Sequence, residues 1–276
     1  MPPDIHQVTC GDIEICLGLA GKGPPLLFLG GTGWDLRAFP NPLESLLTRS
    51  FTVALFDQRG QGRSTKPGAP CSMKTYADDA LAIADHLGWA APAIVGYSFG
   101  GMVAQEYAIR FPTRLSKLVL AATTPGGEGG SSYPVHNLLD LDPISRARSG
   151  LRASDRRFAR LEENDAAQAD QMVQRRMIAQ TRFSDEPGAK SGLRAQLSAR
   201  ASHDCYDRLR QIKAQTLVLS GSDDLQAPLE AQNEMSERIP HAEHRIVKGA
   251  HNFLFEEDTA YHEIAGFLGQ SNPSGI

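Results

Sequence analysis

One serine stands between two glycines in the stretch VGYSFGG, residues 95–101. The spacing Gly96-x-Ser98-x-Gly100 directly follows an apolar run and directly precedes a segment with helical periodicity. On a sharp strand-to-helix turn the glycines leave room for close backbone approach, and the serine hydroxyl projects above the end of the strand. Such a hydroxyl can attack a carbonyl carbon if a base accepts its proton and a carboxylate orients that base. We interpret Ser98 as a nucleophile; a serine without a catalytic role in a glycine-rich turn is the alternative.

Histidine is the usual base for such a serine, and four of the eight histidines lie near or after the last predicted strand: His241, His244, His251 and His262. His251 comes directly after a predicted strand, on a loop at the same sheet edge as Ser98. His244 lies at the start of that strand and therefore at the opposite edge. His241 lies in a turn, and His262 lies in a helical pattern that favours a solvent-facing position. The position along the chain therefore predicts His251 as the base.

Two neighbouring aspartates are candidates for the orienting carboxylate. The stretch LVLSGSDDLQAP, residues 217–228, places Asp223 and Asp224 just after a strand that ends near Ser220. Only one of the two can orient His251, and the other is then a turn or capping residue. Their position after the strand does not show which of the two aspartates is the orienting carboxylate.

Short apolar runs alternate with longer segments of helical period, and together they must position these side chains. The predicted buried strands are residues 24–31, 51–57, 92–98, 115–123, 215–223 and 243–251. The predicted amphipathic helices are residues 73–89, 99–112, 228–240 and 258–269. The opening residues 6–21 predict an antiparallel pair that turns near Gly11 and Asp12. Continuous apolar runs separated by helices predict an α/β fold with a mostly parallel, doubly wound sheet.

With these motifs in place, the chain resembles the α/β-hydrolase superfamily over nearly its whole length. The stretch DQRGQGRS, residues 57–64, matches a D-x-R-G-x-G-x-S segment that such enzymes carry after the fourth strand. The resemblance implies that this segment shapes a loop, so Asp57 and Arg59 are not expected to be catalytic. Within the superfamily the chain is most similar to small esterases, enol-lactonases and cofactor-free haloperoxidases.

The resemblance also implies roles for particular residues. The spacing Gly221-x-x-Asp224-x-x-x-Pro228 is familiar in the superfamily and favours Asp224 as the acid. The oxyanion hole is expected to use the backbone N–H groups of Phe99 and Thr32, with Gly31 as the alternative donor. The loop LGGTGW, residues 29–34, has Gly30-Gly31 where the commoner pattern has His-Gly. Gly31, Trp34 and Phe39 are expected to contact substrate.

One long segment breaks the alternation of strands and helices. Residues 124–206, called the inserted segment below, begin with the turn-rich TPGGEGGSSYP and continue as polar, arginine-rich sequence of helical character. We predict a core formed by residues 1–123 and 207–276, with residues 124–206 inserted as a helical cap. Thirteen arginines lie between residues 146 and 210. They are interpreted as solvated helix faces; the alternative is that some hold a substrate carboxylate.

The type of nucleophile limits the reaction classes. Haloalkane dehalogenases and epoxide hydrolases share the fold but use aspartate at the elbow, so Ser98 argues against both. The sequence contains no P-loop or dinucleotide-binding fingerprint and no histidine–carboxylate cluster typical of a catalytic metal. We therefore expect a serine hydrolase without cofactor or metal, acting on a carboxylic ester or a lactone. The alternatives are a hydrolase of carbon–carbon bonds in vinylogous diketones with the same triad, and a non-catalytic binding protein.

Composition agrees with a globular protein that acts on small molecules. The chain has 276 residues, 41% hydrophobic and 22% charged residues, and a net charge of −4, which gives no reason to expect nucleic acid as a partner. No apolar stretch approaches the length of a membrane helix, and the first residues lack the pattern of a signal peptide. The four cysteines have no metal-ligand spacing. The expected location is the cytoplasm, with a small ester or lactone as the partner.

Overall fold

The computed structural model describes residues 2–68 and 70–270. Within this part of the chain, eight strands form one sheet. They are β1 (Asp4–Cys10), β2 (Ile13–Ala20), β3 (Pro25–Leu29), β4 (Thr52–Phe56), β5 (Ala93–Tyr97), β6 (Lys117–Ala121), β7 (Gln215–Gly221) and β8 (Ala242–Val247).

The strand order is β1-β2-β4-β3-β5-β6-β7-β8. Strand β2 is antiparallel to both of its neighbours, and every other pair is parallel. The carboxyl ends of the parallel strands therefore meet at one edge of the sheet, where open α/β sheets place their ligands. The predicted α/β fold with a mostly parallel sheet is confirmed, as is the antiparallel opening pair that turns at residues 11–12.

The described residues also form eight α-helices, which connect or cover the strands. They are α1 (Met73–His86), α2 (Phe99–Arg110), α3 (Pro143–Ser154), α4 (Phe158–Asn164), α5 (Ala166–Thr181), α6 (Ala189–Ala201), α7 (Leu229–Arg238) and α8 (Thr259–Gly269). The part of the chain that the structure describes also contains six short 3₁₀ helices, at Pro42–Glu44, Leu46–Arg49, Gly127–Gly129, Val135–Leu138, Tyr206–Gln211 and Phe253–Phe255. The four predicted core helices correspond to α1, α2, α7 and α8.

The hydrophobic core lies on both faces of the sheet because successive side chains of a strand point to opposite faces. In β5, Ile94 packs into the cluster that includes α1 and α2, whereas Val95 packs into the cluster that includes α8. Both residues are fully buried. Burial on both faces explains why the central strands are continuous apolar runs in the sequence.

The inserted segment contains α3, α4, α5 and α6 and enters and leaves between β6 and β7. An isolated β-bridge between Gly126 and Asp204 brings its two ends together. Helices α3 to α5 share a small apolar cluster that includes Phe158 and Val173. The division of the chain into a core and a cap remains a prediction, but this cluster and the paired ends are what such a division requires.

In the described ranges 2–68 and 70–270, none of the helices has the length and apolar character needed to cross a membrane.

Candidate active site

Ser98 lies at the turn between β5 and α2, at the carboxyl edge of the sheet. Its backbone angles, φ 53° and ψ −115°, fall in a region that L-amino acids rarely adopt. A Cβ atom at Gly96 would lie 2.5 Å from the carbonyl oxygen of Gly100, and one at Gly100 would overlap the carbonyl oxygen of Leu29. The two glycines are therefore needed for the backbone to close this turn, as their spacing in the sequence predicts.

His251 and Asp224 meet Ser98 at this edge. Ser98 Oγ lies 2.9 Å from His251 Nε2, and His251 Nδ1 lies 2.9 Å from Asp224 Oδ2 and 3.1 Å from Oδ1. All three side chains are buried. Since an ionised carboxylate only accepts hydrogen bonds, the hydrogen of the neutral imidazole lies on Nδ1 and the lone pair of Nε2 faces the serine. This arrangement can transfer the serine proton to His251.

The structure also separates the two candidate acids. Asp224 Oδ1 accepts hydrogen bonds from the backbone N–H groups of Gln226 at 2.8 Å and Ala227 at 2.9 Å, in addition to its contact with His251. The side chain of Asp223 instead accepts a hydrogen bond from Ser222 Oγ at 3.0 Å. Asp224, and not Asp223, is the carboxylate placed on the histidine.

The loop that carries His251 is held from two sides. The backbone N–H of His251 donates to the carbonyl of Ser154 in α3 at 3.1 Å. The hydroxyl of Tyr97 donates to Asn252 Oδ1 at 2.7 Å and lies 3.2 Å from the carbonyl oxygen of His251. Burial raises the pKa of Tyr97, so this phenol stays a neutral donor. The inserted segment and β5 together hold the backbone of the loop that carries His251.

The predicted oxyanion donors lie near Ser98. The backbone N–H of Phe99 belongs to the first turn of α2, where N–H groups have no partner within the helix. Gly31 lies directly beside the nucleophile, since a Cβ atom placed on it would be 3.6 Å from the Cβ of Ser98. Thr32 follows on the same loop, and in the described chain its buried hydroxyl has no hydrogen-bond partner. The roles of Phe99, Thr32 and Gly31 remain predictions.

Two side-chain amides hold the loop of residues 29–34. Gln58 Nε2 donates to the carbonyl of Gly30 at 2.8 Å. Gln196 of α6 accepts a hydrogen bond from the N–H of Gly33 at 2.7 Å. One of these glutamines comes from the core and the other from the inserted segment, so both units contribute to the position of this loop.

The two aromatic residues expected to contact substrate have different environments. Trp34 is half-buried against Phe255, with ring centroids 5.3 Å apart. Phe39 is 80% exposed. Their predicted contact with substrate stays a prediction for both, with the stronger structural support at Trp34.

The other three late histidines have different surroundings from His251. His244 lies within β8, where its Nε2 is 2.8 Å from Ser220 Oγ, and burial lowers its pKa. His262 is exposed on α8, and His241 lies in a turn with φ 60°. None of the three is paired with Ser98.

The stretch of residues 57–64 has the properties of a shaping loop. The Asp57 carboxylate accepts hydrogen bonds from the backbone N–H groups of Leu36 at 2.6 Å and Arg63 at 2.8 Å. Burial raises its pKa to about 6. Arg59 forms an ion pair with Asp79 at 2.6 Å. Both side chains are used in local structure, in agreement with their interpretation from the sequence.

Gln226 is a residue of the candidate site that the sequence analysis does not identify. It is buried, and its Nε2 lies 2.7 Å from His251 Nε2, the same atom that Ser98 approaches. The available signal was a single amide in the otherwise apolar stretch Leu225–Pro228 that follows the acid. The sequence shows that amide but not the direction of its side chain.

Arg176 of α5 was also not singled out among the thirteen arginines. Its Nη1 donates to Ser154 Oγ at 3.3 Å, and its buried Nε has no acceptor among the residues described. Burial lowers the pKa of the guanidinium. No carboxylate of residues 2–68 or 70–270 lies within 4.0 Å of it, whereas Arg148, Arg152 and others of the segment are ion-paired.

Among residues 2–68 and 70–270, no group of three or more histidine, cysteine, aspartate or glutamate side chains is arranged to hold a metal ion.

Comparison with known proteins identifies the family to which this chain is similar. The profile of the family described as the α/β hydrolase fold matches residues 24–258. A poly(3-hydroxyalkanoate) depolymerase of Ectopseudomonas oleovorans is 30% identical over 232 residues, which cover 83% of this chain and 78% of that protein. A proposed carbamate hydrolase of Caulobacter vibrioides is 26% identical over 91% of each chain.

Solved structures share the architecture. The enol-lactonase of Burkholderia xenovorans LB400 is similar to this chain with a TM-score of 0.78. The similarity covers 96% of this chain and 100% of the lactonase at 20% sequence identity. At this level of identity the similarity concerns the fold alone.

Proposed function

The chain belongs to the α/β hydrolase fold family and is a hydrolase, and we propose that it cleaves a carboxylic ester or a lactone through an acyl-serine intermediate. The observation that carries this proposal is the continuous hydrogen-bonded series from Ser98 through His251 to Asp224, with distances of 2.9 Å at both links. The series is buried at the carboxyl edge of the sheet. Order along the chain and geometry agree on the same three residues.

Acylation follows from these contacts. His251 Nε2 takes the proton of the Ser98 hydroxyl as Oγ attacks the carbonyl carbon of the substrate. The negative charge on the carbonyl oxygen would be stabilised by the N–H of Phe99 and a second N–H from Thr32 or Gly31. The imidazolium, stabilised by Asp224, then gives its proton to the departing oxygen, and the acyl group stays on Ser98.

Deacylation reverses these roles with water as the nucleophile. Water gives a proton to His251 Nε2 and bonds to the acyl carbon, and Ser98 Oγ leaves and regains the proton. A lactone would pass through the same steps, except that its leaving hydroxyl stays attached to the acyl group. The names of the depolymerase and of the proposed carbamate hydrolase support this scheme, because both imply an acyl carbon with a heteroatom leaving group.

A second candidate reaction is carbon–carbon hydrolysis of a vinylogous diketone that carries a carboxylate. Arg176 favours an acidic substrate because its Nε is buried without an acceptor and its guanidinium has no carboxylate partner among residues 2–68 and 70–270. Ser154 connects Arg176 with the candidate site. Arg176 donates a hydrogen bond to the hydroxyl of Ser154, and the backbone N–H of His251 donates to the carbonyl of the same residue. An enol-lactone with a carboxylate would satisfy this arginine equally well.

A substrate panel with one variant tests the proposal. We expect the wild-type chain to hydrolyse p-nitrophenyl acetate and at least one lactone. Ser98→Ala should lower kcat at least about 10³-fold because the nucleophile is lost. The melting temperature should be unchanged because the substitution removes only one hydroxyl from the turn. Retention of more than a few per cent of the rate by Ser98→Ala would contradict the proposal. Turnover of vinylogous diketones with no turnover of esters or lactones would favour the second candidate.

A further inference from the structure

Two side chains reach the nitrogen of His251 that accepts the serine proton. Nε2 lies 2.9 Å from Ser98 Oγ and 2.7 Å from Gln226 Nε2. With its hydrogen on the Nδ1 that faces Asp224, the neutral imidazole has one lone pair on Nε2. One lone pair accepts one well-formed hydrogen bond, so the Ser98 hydroxyl and the Gln226 amide compete for it.

The backbone of Gln226 is fixed relative to the acid and the base. Its N–H donates to Asp224 Oδ1 at 2.8 Å, and its carbonyl accepts from the N–H of Tyr133 at 2.8 Å. The remaining freedom of the residue is therefore rotation of its side chain. The side-chain oxygen, Oε1, accepts no hydrogen bond from residues 2–68 or 70–270. The amide thus presents a donor to the base and keeps an unused acceptor beside it.

Formation of the acyl-enzyme removes one of the two competitors. Once Ser98 Oγ is bonded to the acyl carbon, it has no hydrogen to donate, and the lone pair of His251 Nε2 becomes available to water. A water that gives its proton to Nε2 must lie within about 3 Å of that atom. Because the Gln226 amide lies 2.7 Å from the same atom, it is within reach of this water. The second hydrogen of the water then needs an acceptor, and Oε1 can supply it after rotation of the amide.

We propose that Gln226 positions the hydrolytic water of deacylation, an inference that rests on the acyl-serine mechanism proposed above. The water oxygen bonds to the acyl carbon while one proton passes to His251 Nε2. The bond between the acyl carbon and Ser98 Oγ breaks, and Oγ takes the proton from Nε2. The second hydrogen, held by Gln226 Oε1 during the attack, stays on the carboxylic acid product.

Gln226→Met tests this role because methionine has a similar length and neither a donor nor an acceptor of comparable strength. We expect kcat and KM for p-nitrophenyl acetate to fall together, by about tenfold, with kcat/KM within about twofold of wild type. Acylation, which sets kcat/KM, does not use the water, whereas deacylation does. Stopped-flow traces should show a burst of p-nitrophenol equal to the enzyme concentration.

Gln232→Met is the matched control. Gln232 is another buried glutamine, six residues further along the chain, and its amide supports the loop that carries Gln226 by donating to the carbonyl of Ala227 at 2.7 Å. We expect this variant to have a lower melting temperature, and any loss of rate should appear in kcat/KM as strongly as in kcat. A parallel fall of kcat and KM should therefore be specific to Gln226. If Gln226→Met does not fold, Gln226→Ala removes the same amide with a smaller side chain and has the same expected result.

The outcomes separate this inference from the proposed function. A wild-type chain that forms no acyl-Ser98 overturns both. A wild-type chain that does form it, with a Gln226→Met variant that has unchanged kcat, overturns only the role of Gln226. A fall of kcat/KM equal to that of kcat, at constant KM and without a burst, also overturns it, because the loss then lies in acylation.

Discussion

Ser98 occupies a backbone conformation that costs about 1–3 kcal/mol for an L-residue. The cost is sustained because the turn is closely packed, with Gly96 and Gly100 in near contact with their neighbours. What the conformation achieves is the placement of Oγ 2.9 Å from His251. At the scale of single residues, the candidate site therefore consists of a strained serine, a histidine with one nitrogen facing it, and a carboxylate with two backbone donors.

Asp224→Asn should lower kcat/KM by about 10³–10⁴-fold, because the orienting carboxylate and its stabilisation of the imidazolium are both lost. Asp223→Asn should lower it less than about threefold, since its side chain contacts Ser222 and not the histidine. Steady-state kinetics on one ester, with circular dichroism to verify folding, provides the comparison. Equal losses in the two variants would show that the observed contact does not orient the base.

The three residues of the proposed triad could be predicted from the sequence because each lies within four residues of the end of a recognisable strand. Gln226 could not, although it lies two residues from Asp224. Its proposed role depends on the direction of a side chain whose backbone is held by hydrogen bonds with Asp224 and Tyr133. Those contacts join segments far apart in the chain, and no local pattern reports them.

At the scale of elements, strands and core helices were predicted to within a few residues because continuous apolar runs and amphipathic periods are local signals. The helices α3 to α6 were predicted only as a polar helical segment. Their boundaries depend on caps such as Asp142, which accepts from the N–H groups of Ile144 and Ser145, and on packing within the segment. The short 3₁₀ helices near residues 42–49 carry too few residues for a period to be visible.

Helix α6 lies in backbone contact with the shaping loop, and this contact makes a testable prediction. A Cβ atom at Gly192 would overlap the carbonyl oxygen of Gly60 and lie 3.0 Å from its Cα. Gly192→Ala should therefore lower the free energy of unfolding by about 1–3 kcal/mol, despite the better helix propensity of alanine. Since Gln196 of the same helix holds the N–H of Gly33, KM should also rise.

The matched control for Gly192 is Gly266 in α8, where a Cβ atom would meet nothing within 4 Å. Gly266→Ala should raise the free energy of unfolding by about 0.5–1 kcal/mol through helix propensity alone. Urea denaturation of the two variants measures both effects. If Gly192→Ala were as stable as Gly266→Ala, the close approach of α6 to the loop would be wrong.

At the scale of the whole molecule, stability should depend on a buried histidine where the inserted segment returns to the sheet. His203 is 7% exposed, and burial lowers its pKa to about 4. An unfolded histidine titrates near 6.5, so the unfolded state binds the proton first as the pH falls. Above pH 6.5 neutral His203 makes its full contribution to the free energy of unfolding, about 3 kcal/mol. This contribution is lost as the pH falls toward 4.

His203→Gln should therefore lose less stability than the wild type between pH 7 and pH 4, by up to about 3 kcal/mol. The variant must be compared with the wild type because protonation of Asp57 changes the stability in the opposite direction. Its raised pKa, about 6, lets the folded state bind a proton first, which stabilises the fold as the pH falls through that value. Urea denaturation of both proteins at the two pH values gives the difference directly, and identical pH dependence would refute the role of His203.

The central claim, a covalent acyl intermediate on Ser98, is tested most directly by covalent labelling with a fluorophosphonate followed by peptide mass spectrometry. We expect one label per chain, located on the peptide that contains Ser98, with loss of hydrolysis in proportion to labelling. Ser98→Ala should take no label, and His251→Gln should be labelled much more slowly because the base is missing. Labelling of another residue with the same loss of activity, or full labelling of Ser98→Ala, would contradict the account.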